Sequence, residues 1–147
     1  MLSKNIKNHE YLNSGINYHR LGKLEEAAFI YRQVLARDKN NCEALNLLGV
    51  IGLQSGTPEK AVRLLKKAVK RNPDNSGYLN NLGQALHTLG KVTEAISCFE
   101  QALKLLPTNF DALNNMGISL SSIGMYEEAK LTYEKAISLR NEDPELL

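Results

Sequence analysis

Gly15, Gly49, Gly83 and Gly117 stand 34 residues apart without a single slip. The same interval separates Gly22, Gly56, Gly90 and Gly124, and again Ala27, Ala61, Ala95 and Ala129. A bulky row follows the alanines (Tyr31, Leu65, Phe99, Tyr133), then a smaller one (Val34, Ala68, Ala102, Ala136), while Pro73 and Pro107 close the second and third units. Five rows in register across four units leave little freedom. The chain must use one small supersecondary unit four times over. A single unit of this kind cannot bury all its apolar surface, so units stack and share stability with their neighbours.

The spacing inside a unit says what it is. In the third unit Leu79, Leu82, Gly83, Leu86 and Leu89 fall at i, i+3, i+4, i+7 and i+10, one stripe along a helix. Gly90 then suits the left-handed conformation that ends a helix. A second stripe follows in Val92, Ala95, Ile96, Phe99, Ala102 and Leu103, and Pro107 cannot continue it. Each unit is therefore expected to be two antiparallel helices of roughly 14 residues, about 20 Å long. Eight helices, no strand and an all-α class follow. Gly83, Ala95 and Ala102 carry almost no side chain and let paired helices approach closely, with Phe99 and its equivalents filling the space between neighbouring units. Three departures qualify the pattern. Gly52 replaces bulk in mid-helix and predicts a looser second unit; Lys39 and Asn141 occupy the places of the closing prolines; Ser14 replaces an apolar residue.

The segments Asn81-Leu82-Gly83-Gln84-Ala85-Leu86 and Glu94-Ala95-Ile96-Ser97-Cys98-Phe99-Glu100-Gln101-Ala102-Leu103 closely resemble the tetratricopeptide repeat, and the resemblance runs from about Asn8 to Asp143. It implies an α-solenoid of four antiparallel helix pairs forming a right-handed superhelix. A concave face would be lined by the first helix of each pair. Members of the family mostly hold peptides, partner proteins or copies of themselves. The implied organisation is a single domain over 1–147, with repeats at about 8–41, 42–75, 76–109 and 110–143. Pro144-Glu145-Leu146-Leu147 resembles the first turn of a further helix cut short. Two explanations stand: a fragment of a longer protein, or an end covered by self-association. The stretch from Ala44 to Gly83 also resembles bacterial arrays that precede glycosyltransferase, sulfotransferase or methyltransferase domains, a likeness at the level of fold alone.

Hydrophobic residues at 43% and charged residues at 23% are ordinary for a folded protein. A net charge of +2 points to neither nucleic acid nor membrane. The N-terminal residues do not read as a signal peptide, and no apolar run reaches the ~18 residues of a membrane span. Cys42 and Cys98 form no C-x-x-C pair, read as small core residues, and suit a reducing cytoplasm. No catalytic or phosphate-binding motif is present, so the expectation is a non-enzyme with no cofactor. His19 and His87 occupy equivalent positions two units apart, too far for a shared metal, and read as solvated groove residues.

Chemistry being absent, recognition surfaces remain. Positions one step off the core stripe of each first helix produce two asparagine rows: Asn46, Asn80 and Asn114, and beside them Asn13, Asn81 and Asn115, with Leu47 breaking the second. An amide offers one acceptor and two donors, enough to pair with both polar groups of a peptide unit. The candidate peptide-binding residues are accordingly Asn13, Asn46, Asn80, Asn81, Gln84, Asn114 and Asn115, read as pointing to solvent. The family's chaperone-binding members clamp an acidic terminus with Lys, Arg and Asn; here such places hold Leu12, Ile16, Leu47 and Asp111, which argues against a carboxylate clamp. Arg63, Lys66, Lys67, Lys70 and Arg71 form a basic cluster on the second helix of unit two, where a helix C-terminus favours cations. No aromatics interleave with it, so no nucleic-acid partner is expected. The leading reading is a binding scaffold, either one that captures a protein or peptide or one that assembles with itself through its C-terminal end. The alternative is a substrate-recruiting segment of a larger transferase.

Overall fold

The computed structural model describes residues 2–142. Across them run eight helices: α1 (Leu2–Arg20), α2 (Leu24–Arg37), α3 (Cys42–Gln54), α4 (Pro58–Arg71), α5 (Ser76–Thr88), α6 (Val92–Leu105), α7 (Phe110–Ser122) and α8 (Tyr126–Glu142). No strand occurs among the described residues. The helices pair in sequence order, α1 with α2, α3 with α4, α5 with α6 and α7 with α8, as the 34-residue period predicts.

Within a pair the stop signal is glycine. Gly90 has φ +77°, its N–H donates to the His87 carbonyl at 2.8 Å, and the Lys91 N–H reaches back to the Leu86 carbonyl at 2.9 Å. These two bonds satisfy carbonyls that a helix end otherwise leaves unpaired. Gly22, Gly56 and Gly124 close the other pairs with the same two bonds.

Between pairs the start signal is asparagine. Asn41, Asn75 and Asn109 accept, through Oδ1, the backbone N–H of Ala44, Tyr78 and Ala112 at 2.9–3.0 Å. They cap α3, α5 and α7. Lys7 stands at the equivalent position before the first repeat and offers no acceptor. There α1 runs back to Leu2 and reaches 19 residues, longer than expected. At Asn141, where a proline would have broken it, α8 likewise continues to Glu142.

Small residues face large ones within each pair. A Cβ at Gly15, Gly83 or Gly117 would lie 2.5 Å from a ring carbon of Tyr31, Phe99 or Tyr133, and one at Gly49 would lie 2.7 Å from Leu65 Cγ. This corrects the expectation for Phe99: its ring edge rests on the glycine of its own pair. Gly52 does not loosen the second pair either. A Cβ there would sit 3.3 Å from that of Ala61, and the Gly52 carbonyl accepts from both the N–H and the hydroxyl of Thr57 at 2.8 and 3.0 Å. The missing side chain lets α4 begin tight against α3. Ser14 is exposed, so its polarity costs nothing.

Contacts group the chain into two compact units, Met1–Asn72 and Pro73–Leu147, with two helix pairs in each. The first is built around Leu12, Ala28, Tyr31, Val34, Ala44 and Leu48. Buried residues of the second include Leu79, Leu86, Phe99, Leu113 and Leu120. Cys98 is buried there, whereas Cys42 is only half-buried and directs its thiol to the Asn40 carbonyl at 3.6 Å. The further helix expected at Pro144–Leu147 lies outside the described residues.

Candidate functional site

The first helix of each pair carries the candidate residues, and hydrogen bonds to the next repeat decide which of them are available. In the second unit Asn115 Nδ2 on α7 donates to Asn80 Oδ1 on α5 at 2.9 Å. Asn80 is only 7% exposed, and Asn46, its equivalent in the first unit, only 9%. Both were expected to face solvent. Asn80 is buried because its stripe position also faces the following pair of the same unit, where the amide needs a partner. Asn81 and Asn115 are half-buried, and Asn13, Gln84 and Asn114 are exposed.

The histidines follow the same logic. His87 Nδ1 lies 2.9 Å from the hydroxyl of Ser119, a wholly buried residue of α7. In the first unit His19 Nε2 lies 2.7 Å from Gln54 Oε1, and its Nδ1 lies 3.5 Å from the Tyr31 hydroxyl. A neutral ring with its proton on Nε2 satisfies both neighbours of His19. These half-buried rings tie one first helix to the next, which corrects their reading as solvated groove residues. Tyr31 itself is fully buried, and its phenol pKa is pushed up to about 12, first by burial and second by the carboxylate of Glu43.

A further tie anchors the base of the second unit. Asn109 Nδ2 donates to Ser76 Oγ at 2.7 Å, and that hydroxyl donates to the Ala102 carbonyl at 2.9 Å. The Ser76–Ala102 and His19–Tyr31 contacts, at 26 and 12 residues, stay within one repeat, while the ties between repeats span 32 to 35. Reading one repeat at a time could not find them; comparing a position with one about a repeat further on would have.

Exposed neutral hydrogen-bonding side chains remain on both helices, Gln84 and Thr88 on α5 and Asn114 and Ser122 on α7. The hydroxyls of Thr88 and Ser122 already donate to the Gln84 and Ser119 carbonyls. Asp111 and the 44% exposed Ile118 are also on the surface of α7. Among the described residues no three His, Cys, Asp or Glu side chains converge to hold a metal, and no helix is long and apolar enough to cross a membrane. Of the basic cluster, Lys67, Lys70 and Arg71 line a cleft in the first unit.

Two family profiles match the chain. One, described as tetratricopeptide repeat, covers residues 74–142; the other, described as anaphase-promoting complex, cyclosome, subunit 3, covers residues 20–102. No curated protein matches significantly. Among solved structures the chain is similar to MamA, with 30% identity and a TM-score of 0.79 over 86% of this chain and 74% of that one. It is similar in fold to PilF of Pseudomonas aeruginosa, at 24% identity and a TM-score of 0.87, over 97% of this chain and 65% of that one. An O-GlcNAc transferase mutant of Thermobaculum terrenum also matches, at 25% identity and a TM-score of 0.87, over 95% of this chain but only 26% of the transferase.

Proposed function

The chain belongs to the tetratricopeptide-repeat family, whose members are protein-interaction scaffolds, and we propose that it holds an extended peptide or partner segment on the face formed by its first helices. One observation carries this reading. In the second unit the half-buried bonds Asn115–Asn80 and Ser119–His87 hold α5 and α7 to each other, while Gln84 and Asn114 stay exposed on the same helices. The face is fixed before any partner arrives, which reduces the ordering cost of binding. Exposed amides can pair with a peptide backbone with little regard to its sequence. Half-buried Asn81 and Asn115 contribute at the edge of the face, and Asn80 supports it from beneath. In the first unit Asn13 on α1 is an exposed amide and Asn46 on α3 a buried one.

The same reading assigns the chain no catalysis and no cofactor, and a reducing cytoplasm, in keeping with its two free thiols. A recruiting role within a larger transferase rests on a likeness that covers about a quarter of that protein's length. Self-association draws on the exposed apolar residues of α8, Tyr126, Leu131 and Ile137.

The experiment is selection of peptides from a displayed library on the full chain, followed by binding measurements on two variants at low and high salt. Gln84→Ala with Asn114→Ala should weaken binding by about 1 kcal/mol for each neutral hydrogen bond removed, with no loss of helicity. Salt should matter little, because screening acts on charges. Normal binding by the amide variant alongside failure of a Lys66, Lys67 and Lys70 variant would place the ligand elsewhere.

A further inference from the structure

Charge is divided unevenly along the chain. Residues 1–72 contain thirteen Lys and Arg against six Asp and Glu, a net +7; residues 73–147 contain five against ten, a net −5. The near-neutral total conceals a strongly basic first unit. Within that unit four of the thirteen cations meet in one place. Lys39 and Asn40, in the turn between α2 and α3, and Lys67, Lys70 and Arg71, on the last turns of α4, surround a cleft of about 550 Å³ floored by Leu45.

Four cations in one cleft repel one another unless something neutralises them. No ion pair among the described residues of the unit does. The only ion pair among the described residues is Lys91–Glu94, in the other unit. Of the two carboxylates on the adjoining stretch, Asp38 accepts the Asn40 N–H at 3.2 Å, and Glu43 is exposed on the first turn of α3. Arg71 is already positioned: its Nη2 donates to Asn40 Oδ1 at 2.8 Å, which orients the guanidinium and leaves other N–H groups unspent.

The repeats supply an internal control for the structural explanation. Cations do favour a helix C-terminus. Yet at the same repeat positions α6 carries Gln101, Lys104 and Leu105, the following turn carries Pro107, and those helices form equally well. Pro73 and Asp74 replace Lys39 and Asn40 one repeat on. The fold does not ask for this set of residues, so the set answers to something outside the fold.

We infer that the cleft between the α2–α3 turn and the end of α4 is a second binding site, which takes an acidic segment of a partner protein. The polar groups of the cleft come from a turn and a second helix, and α3 contributes only the buried Leu45, so none of the candidate first-helix amides lines it. A peptide is favoured over nucleic acid by the lining: no aromatic side chain is present for a base to stack on, and four cations at one spot do not track a phosphate backbone. The apolar floor of Leu45 suits a segment that mixes carboxylates with an aliphatic side chain.

The test is fluorescence anisotropy of labelled hexaglutamate against the full chain. Binding should weaken steeply with salt, and Lys67→Glu with Lys70→Glu should weaken it by about tenfold or more. The matching control is Lys104→Glu with Lys135→Glu in the second unit, which changes net charge equally and should leave binding intact. Lys67→Gln with Lys70→Gln, checked for unchanged helicity, guards against a folding artefact and should give an intermediate loss. Four results would overturn the proposal: no binding, equal losses in the two Glu variants, tighter binding of a six-nucleotide oligouridylate, or salt-sensitive oligomers of the chain itself that hexaglutamate fails to dissolve.

Discussion

Tyr31 places its phenol where ionisation is costly, and this yields a prediction at the scale of one side chain. Below pH 10 both the folded and unfolded chain keep the proton, so the group adds no pH dependence. Between pH 10 and about 12 the unfolded chain releases it while the folded chain retains it, and stability falls across that window. The loss should reach about 2–3 kcal/mol. Urea titrations at pH 9.5 and 11.5 should show this drop in the native protein and a smaller one in Tyr31→Phe. Gly83 offers a second test. Gly83→Leu drives a side chain into the Phe99 ring and should cost on the order of 1–3 kcal/mol, whereas Lys66→Leu on an exposed surface should cost far less. Equal denaturation midpoints would refute the face assignment. The small size needed at Gly83 was legible beforehand because its role lies within one repeat. The ring row of Tyr31 and Phe99 instead reads from sequence as filling the space between units. The burial of Asn80 was not legible. Its stripe position borders the binding face and the next pair alike, and only Asn115, on the following repeat, decides that it is buried.

At the scale of the element, helix ends obey two separate signals, and only one was visible from periodicity. The glycine stops stood out as a row of identical residues. The asparagine starts did not, since asparagine also populates helix surfaces and Lys7 breaks their row. Their energetic weight should differ in a predictable way. Asn41→Ala removes the cap of α3 and should cost about 1 kcal/mol. Asn109→Ala removes the cap of α7 and also the donor to Ser76, whose hydroxyl is buried against the Ala102 carbonyl. It should cost roughly twice as much. Thermal melts of the two variants, monitored by helicity, would check the order; an equal shift would mean that the Asn109–Ser76 bond contributes nothing.

For the whole molecule, the period dictated class, helix number and pairing, but not the separation into two compact units of opposite net charge. A tally over all residues averages that asymmetry away. On the last helix the exposed apolar residues are Tyr126 at 70%, Leu131 at 66% and Ile137 at 58%, while Tyr133 is half-buried against Gly117. If α8 mediates self-association, Leu131→Glu with Ile137→Glu should lower the mass found by light scattering at high concentration without loss of helicity. An unchanged concentration dependence would remove α8 from the interface. The glycine-to-ring contacts carry one more consequence. Each closes over sixteen residues inside a single pair, from Gly15 to Tyr31 and from Gly83 to Phe99. Gain or loss of a whole 34-residue segment keeps all such surviving contacts in register. One residue inserted in α6 ahead of Phe99 would swing the ring about 100° off its glycine. Tolerance to changes of chain length is therefore quantised, with the repeat as its smallest step.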